Sequence, residues 1–223
     1  LSLALPTDPL RDAGITLVLG TYALMVLFAT KFIYNGLSVR VGRESALYYT
    51  RKVVHILAGG VITILVPVLY SSPVFPCLAA FGLGAFLYGV KRRGGLLYWF
   101  QTRDNSYEIN FTIAWGLSVF ILWYLLDNPF LAILPAAFIA FGDAVTGIVR
   151  NSLFKERNKH WSGNLAMALT VVPLGFFLGG VIGAIAGVVA SLVERFEFRM
   201  IDDNLIIVIA SSIILLFPMV LAS

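Results

Sequence analysis

Long runs of apolar residues alternate along the chain with short clusters of charge. Eight apolar segments can be read, at 13–34, 53–70, 74–90, 109–126, 130–149, 163–178, 180–194 and 204–222. A helix needs about 20 residues to cross the hydrocarbon core of a bilayer. Several segments are near the short limit, so tilting is expected. The runs are too long and too continuous for the ~10-residue alternating strands of a membrane barrel. The pattern therefore predicts an all-α, polytopic integral membrane protein of about eight transmembrane helices, forming one domain over 1–223. The stretch Leu165–Val193 holds 29 residues without a charge. It fits one long tilted helix or two short ones, and Gly179-Gly180 offers a place to turn.

Charge placement arbitrates between these two. With two helices, 15 of the 16 Lys and Arg residues fall on one side, and only Arg11 lies on the other. The basic groups are Lys31 to Lys52, Lys91 to Arg103, Arg150 to Lys159, and Arg195 with Arg199. The positive-inside rule then puts these loops in the cytoplasm and both termini on the non-cytoplasmic side. The net charge of +4 thus reads as membrane topology, with no nucleic-acid partner implied. Composition agrees: 13% of residues are charged and 59% are hydrophobic, whereas soluble domains carry about 25% charged residues. This excludes a soluble domain, a disordered chain and a disulfide scaffold. The single cysteine, Cys77, has no intramolecular partner. Leu1–Leu10 lacks the basic start of a signal peptide. The expected location is a cell membrane, or an ER-type membrane in a eukaryote.

Polar residues at or inside spans are costly and mark candidate sites. Four clusters stand out. Arg51, Lys52 and His55 share a helix face at the start of the second span, as a polyphosphate clamp would. Asp143 lies in the apolar fifth span and needs a cation, either a metal or a Lys or Arg. Gly142 and Gly147 beside it would let a ligand approach the backbone, and Thr146 offers a hydroxyl. The basic loop Arg150 to Asn164 ends in Trp161-Ser162-Gly163-Asn164, which opens a span where free N–H groups favour an anion. Lys159 precedes that end, His160 reads as exposed and incidental, and Trp161 reads as an interfacial anchor. Finally, Glu194 is followed by Asp202-Asp203-Asn204. These side chains suit a hard cation such as Mg²⁺, or Asp203 or Asn204 caps the last helix. Carboxylates, cations and a histidine on one membrane face are the parts of phosphoryl transfer. A transporter reading is weaker, because the polar groups gather at one surface rather than at several depths.

These four motifs, in this order over residues 51 to 205, resemble the dolichol kinase, phytol kinase and CTP-dependent diacylglycerol kinase family. Arg51-Lys52-x-x-His55 is similar to its early motif, and Gly142-Asp143 to its central one. Asn158-Lys159-His160-Trp161-Ser162-Gly163-Asn164 is similar to its basic loop. Glu194 with Asp202-Asp203-Asn204-Leu205 is similar to its late motif. Ser162-Gly163 looks closest to the phytol kinase version. The resemblance implies CTP as phosphate donor, Mg²⁺, and a membrane lipid alcohol as acceptor, with an isoprenoid alcohol such as dolichol, phytol or geranylgeraniol favoured over diacylglycerol. It implies His55, Asp143 and Asp203 as catalytic residues. Asp143, Asp202, Asp203 and Glu194 would bind metal. Arg51, Lys52, Gly142, Gly147, Arg150, Lys159, Gly163, Asn164 and Asn204 would bind nucleotide. His55 would accept the proton of the lipid hydroxyl. A cytidylyltransferase making a CDP-lipid is the nearest enzyme alternative, but its Lys-Asp-x-Gly to Pro-Gly-His-Gly-Gly signature is absent.

Overall fold

Apolar segments become helices wherever the structure describes them. The computed structural model describes residues 5–154, 159–196 and 202–222, and no strand occurs among them. Among the described residues seven helices follow in order: α1 (Pro9–Val41), α2 (Arg43–Leu69), α3 (Val74–Arg92), α4 (Tyr107–Leu126), α5 (Pro129–Phe154), α6 (Trp161–Val193) and α7 (Asp203–Ala222). The first six are long and apolar enough to cross a membrane, and α7 adds a shorter apolar stretch. The protein is membrane-embedded and helical. Lys155, Arg157 and Asn158 of the basic loop, and Arg199 after α6, lie outside the described residues.

Helix starts follow local rules. Asp8 accepts the Arg11 N–H at 3.0 Å ahead of Pro9. Asn128 accepts from Phe130 and Leu131 at 3.0 and 3.1 Å ahead of Pro129. A side-chain oxygen satisfying the free N–H groups of the first turn is the ordinary reason for such residues at these positions.

One boundary differs from the sequence reading. The first cytoplasmic loop expected between 34 and 53 is helical up to Val41 and again from Arg43. Gly42 alone makes the turn, at φ 83°, a left-handed conformation that a side chain disfavours. The charge-free stretch breaks where the sequence offered a turn, at Gly179-Gly180. The backbone of α6 leaves helical geometry at Gly180 (φ 60°, ψ −148°). Its two arms then run back against each other. The Gly175 and Gly183 backbones touch, and a Cβ on Gly187 would stand 2.8 Å from the Val171 carbonyl oxygen. Asn164 Nδ2 donates to the Ser191 carbonyl at 2.5 Å, closing the far end. Gly175, Gly183 and Gly187 thus line the seam of a helical hairpin, where small residues let backbones approach in lipid, while Gly179 packs against Leu131 and Leu134 of α5.

The centre of the bundle is α5. In its most apolar window 78% of residues are buried, against 11% in α1. Leu134 through Ala140 are fully enclosed. Around it pack α2, α4, the α6 hairpin and α7. Exposed Leu17, Met25 and Phe32 on α1, and Leu169 and Phe177 on α6, face outward where lipid would be. A polar pair inside the core is satisfied: Trp115 Nε1 donates to Thr63 Oγ1 at 2.6 Å.

Candidate functional site

Two helices widen where they cross. In α2 a π turn covers His55–Gly60, and in α5 another covers Phe138–Gly142. Such turns carry an extra residue and often mark functional sites. Gly59 and Gly60 make the crossing possible. A Cβ on Gly60 would lie 2.5 Å from the Phe141 ring, and one on Gly59 would lie 3.0 Å from Phe111. His55 opens one π turn and Asp143 follows the other, so the crossing sets them face to face.

Asp143 is buried and takes its cation from α2. Lys52 Nζ donates to Asp143 Oδ2 at 2.6 Å, and His55 Nδ1 stands 3.5 Å from the same oxygen. The partner of Asp143 is thus a lysine, not an arginine. The His55 ring stacks on Phe111 with centroids 4.2 Å apart. The Lys52 stem passes beside Gly147, where a Cβ would collide with Lys52 Cε and Tyr48 Oη.

A second group of charges gathers where α5, the α6 hairpin and α7 meet. Arg150 donates to both oxygens of Glu194, at 2.7 and 2.8 Å. Its other hydrogens go to the His160 carbonyl at 2.8 Å and to Asn164 Oδ1 at 2.9 Å. This planar fork fixes both ends of the hairpin at once. Lys159 Nζ donates to Asp203 Oδ2 at 2.8 Å and to the Glu194 carbonyl at 2.9 Å. Asp143, Glu194 and Asp203 each present a carboxylate oxygen, and the three oxygens lie within 4.8 Å of one another. Lys52, Arg150 and Lys159 neutralise them as three cations against three acids. Hard oxygen donors at this spacing fit a cation such as Mg²⁺, which takes one or two carboxylates and completes its shell with water or phosphate.

Several residues singled out from the sequence sit elsewhere or act differently. Asp202 is not in the acidic group. It caps α7 by accepting the Leu205 N–H at 3.0 Å, and its other oxygen accepts from Asn110 Nδ2 at 2.9 Å. Burial pushes its carboxyl above the usual range, opposed by the Asn110 bond. The cap of α7 is therefore Asp202 rather than Asp203 or Asn204. Arg51 parts from Lys52 and His55. Its guanidinium lies 3.7 Å from Glu108 and over the Tyr107 ring. Gly142, Gly147 and Gly163 do not open the backbone to a ligand. The space beside them is filled by Val171 and Met167, by Lys52 and Tyr48, and by Arg150. Thr146 donates to the Gly163 carbonyl at 3.2 Å. His160 caps α6 through Ser162 N–H at 3.2 Å. Trp161 is exposed, as an interfacial residue would be. Asn204 is buried, and its Oδ1 has no hydrogen-bond partner among the described residues.

Glu108 went unread in the sequence. It stands at the first turn of α4, one residue outside the predicted span, and is 1% exposed. An acid at the edge of a charge-free span is a weaker signal than Asp143, which lies inside one. Gln101 Nε2 donates to its Oε1 at 3.1 Å, while Oε2 accepts no hydrogen bond among the described residues. Glu108 and His55 both line a cavity of about 680 Å³ between α1, α2, α3 and α4. Its remaining wall is largely apolar, with Leu24, Phe28, Leu83 and Phe86 among the lining side chains. His55 therefore stands between the charge cluster on one side and an apolar cavity on the other. No family model, curated protein or solved structure matches this chain.

Proposed function

We propose that this protein is a membrane lipid-alcohol kinase, transferring the terminal phosphate of a nucleoside triphosphate, CTP favoured, to an isoprenoid alcohol. The observation that carries the reading is the position of His55. It touches the acid of a compact carboxylate and cation cluster and also lines an apolar cavity suited to a lipid chain. A phosphate donor and a lipid acceptor would meet at that residue. The motif resemblance supports the same reaction class.

In this reading the bundle spans the bilayer eight times, the α6 hairpin counting as two passes, with both termini on the non-cytoplasmic side. The charge cluster then faces the cytoplasm, where soluble nucleotide is available. Asp143, Glu194 and Asp203 would hold Mg²⁺, which supplies charge neutralisation on the triphosphate. Lys52, Arg150 and Lys159 exchange carboxylate partners for phosphate oxygens, the usual work of cations in phosphoryl transfer. Asn164 and Asn204 orient the nucleotide. The acceptor oxygen forms a bond to the γ-phosphorus, the bond to the β–γ bridging oxygen breaks, and CDP leaves with the electron pair. His55 takes the hydroxyl proton, since a neutral imidazole is a better base than a carboxylate already paired to cations.

The test uses purified protein in bilayers with CTP, ATP, GTP and UTP against geranylgeraniol, phytol, dolichol and diacylglycerol. The expected product from CTP is CDP, with the phosphorylated lipid, and Asp143→Asn abolishes turnover. Release of pyrophosphate would establish a CDP-lipid synthase instead. Near-wild-type turnover of Asp143→Asn would remove Asp143 from the reaction.

A further inference from the structure

The apolar cavity between α1, α2, α3 and α4 contains an unresolved polar contact. Buried polar atoms are almost always hydrogen-bonded, and each exception asks for an explanation. One such exception, Glu108 Oε2, belongs to a residue that lines this cavity, and His55, which lines it too, turns its Nδ1 toward Asp143 at 3.5 Å. Both side chains are more than nine-tenths buried. Among the described residues the cation paired with Glu108 Oε2 is Arg51 at 3.7 Å, beyond hydrogen-bond distance. Water is a poor candidate to fill the gap, because largely apolar cavities stay dry. The missing partner is therefore a donor attached to something apolar.

Size and charge narrow that partner further. A cavity of about 680 Å³ lies within the ~300–1,000 Å³ that encloses one small ligand. One chain fits it better than the two chains of a diacylglycerol. A fatty acid is disfavoured, because its carboxylate would face that of Glu108. A hydroxyl satisfies Oε2 without adding charge.

We propose that this cavity binds the chain of a single-chain lipid alcohol, whose hydroxyl donates to Glu108 Oε2 beside His55. The inference rests on the kinase reading for its reaction and names the acceptor site of that reaction. Glu108 is then an acceptor-binding residue. Gln101 positions it by occupying Oε1 and turning Oε2 to the cavity. Phe111, one turn further along α4, holds the His55 ring at the same end by stacking.

The experiment needs no turnover. Geranylgeraniol carrying a terminal diazirine is photo-crosslinked to the protein in nanodiscs, without nucleotide, and labelled peptides are mapped. Labels are expected on α1 to α4, with geranylgeraniol competing about tenfold better than its methyl ether, which has no donor. Glu108→Gln is expected to erase that preference, because Gln101 Nε2 would hold the amide oxygen and leave an NH₂ group facing the cavity. If that variant fails to fold, Gly20→Phe replaces it. A Cβ at Gly20 meets nothing within 4 Å, and the residue lines the cavity. This substitution should block labelling without touching the charge cluster. Labelling outside the cavity, or equal competition by alcohol, methyl ether and diacylglycerol, would overturn the inference. Selective labelling in a protein that phosphorylates no lipid would sink the kinase reading and leave the cavity's ligand class standing.

Discussion

Replacing Arg150 by methionine removes four hydrogen bonds from one buried side chain. Two go to Glu194, one to the His160 carbonyl and one to Asn164. Arg150 is 4% exposed and Glu194 is 1% exposed, so water cannot take over. Breaking a buried ion pair by removing one partner costs about 3–5 kcal/mol, because the other charge is stranded. Here Glu194 keeps Lys159 at 3.3 Å and Asn164 at 3.3 Å, which places the loss near the lower end, about 3 kcal/mol. For a chain of this size each kcal/mol moves the midpoint by roughly 2–4 °C. Arg150→Met should then lower the thermal midpoint in detergent by roughly 6–12 °C. Arg150→Met with Glu194→Leu should recover much of that loss, since an apolar pair of similar volume often replaces a buried ion pair without penalty. In the kinase reading the double variant stays inactive, because a ligand acid is gone. A single variant that unfolds at the wild-type midpoint would refute the argument. So would a double variant no more stable than the single one.

Two further predictions concern the fold. Gly180→Ala forces a side chain into a conformation open essentially to glycine (φ 60°, ψ −148°) and should cost about 1–3 kcal/mol. Urea or thermal unfolding in detergent checks it, with Gly14→Ala on α1, where a Cβ meets nothing, as the control expected to be neutral or stabilising. Thr63→Val leaves the Trp115 indole N–H without its 2.6 Å acceptor and should cost about 1–3 kcal/mol. A wild-type midpoint in that variant would mean the indole finds another acceptor.

The site was legible in part. Lys52, His55, Asp143, Arg150, Lys159, Glu194 and Asp203 are ionisable residues at the ends of apolar spans, and that position is visible in one dimension. What was not legible is which of them meet. Asp143 pairs with Lys52 across 91 residues of chain, and Glu194 pairs with Arg150 across 44. Arg51 and Lys52 are neighbours, yet they turn to different partners, Glu108 and Asp143. Successive residues on a helix point about 100° apart, so adjacency in sequence separates rather than joins them. Glu108 was missed because its importance comes from the cavity it faces, and that cavity is formed by four helices.

The amino-acid sequence by itself determined the helices, the apolar stretches that would lie in lipid, and the concentration of charge at their ends. Hydrophobic runs, caps and charge placement are local properties, and lipid leaves a backbone little alternative to helix. The tertiary structure decided the rest. It packed the two arms of the charge-free stretch against each other at Gly175, Gly183 and Gly187, filled the space beside Gly142, Gly147 and Gly163 with side chains, and sent Asp202 to a capping role. Each of these depends on how far one helix is rotated against another and how closely they cross. Side-chain volumes contributed by distant segments set that rotation, and no single segment encodes it.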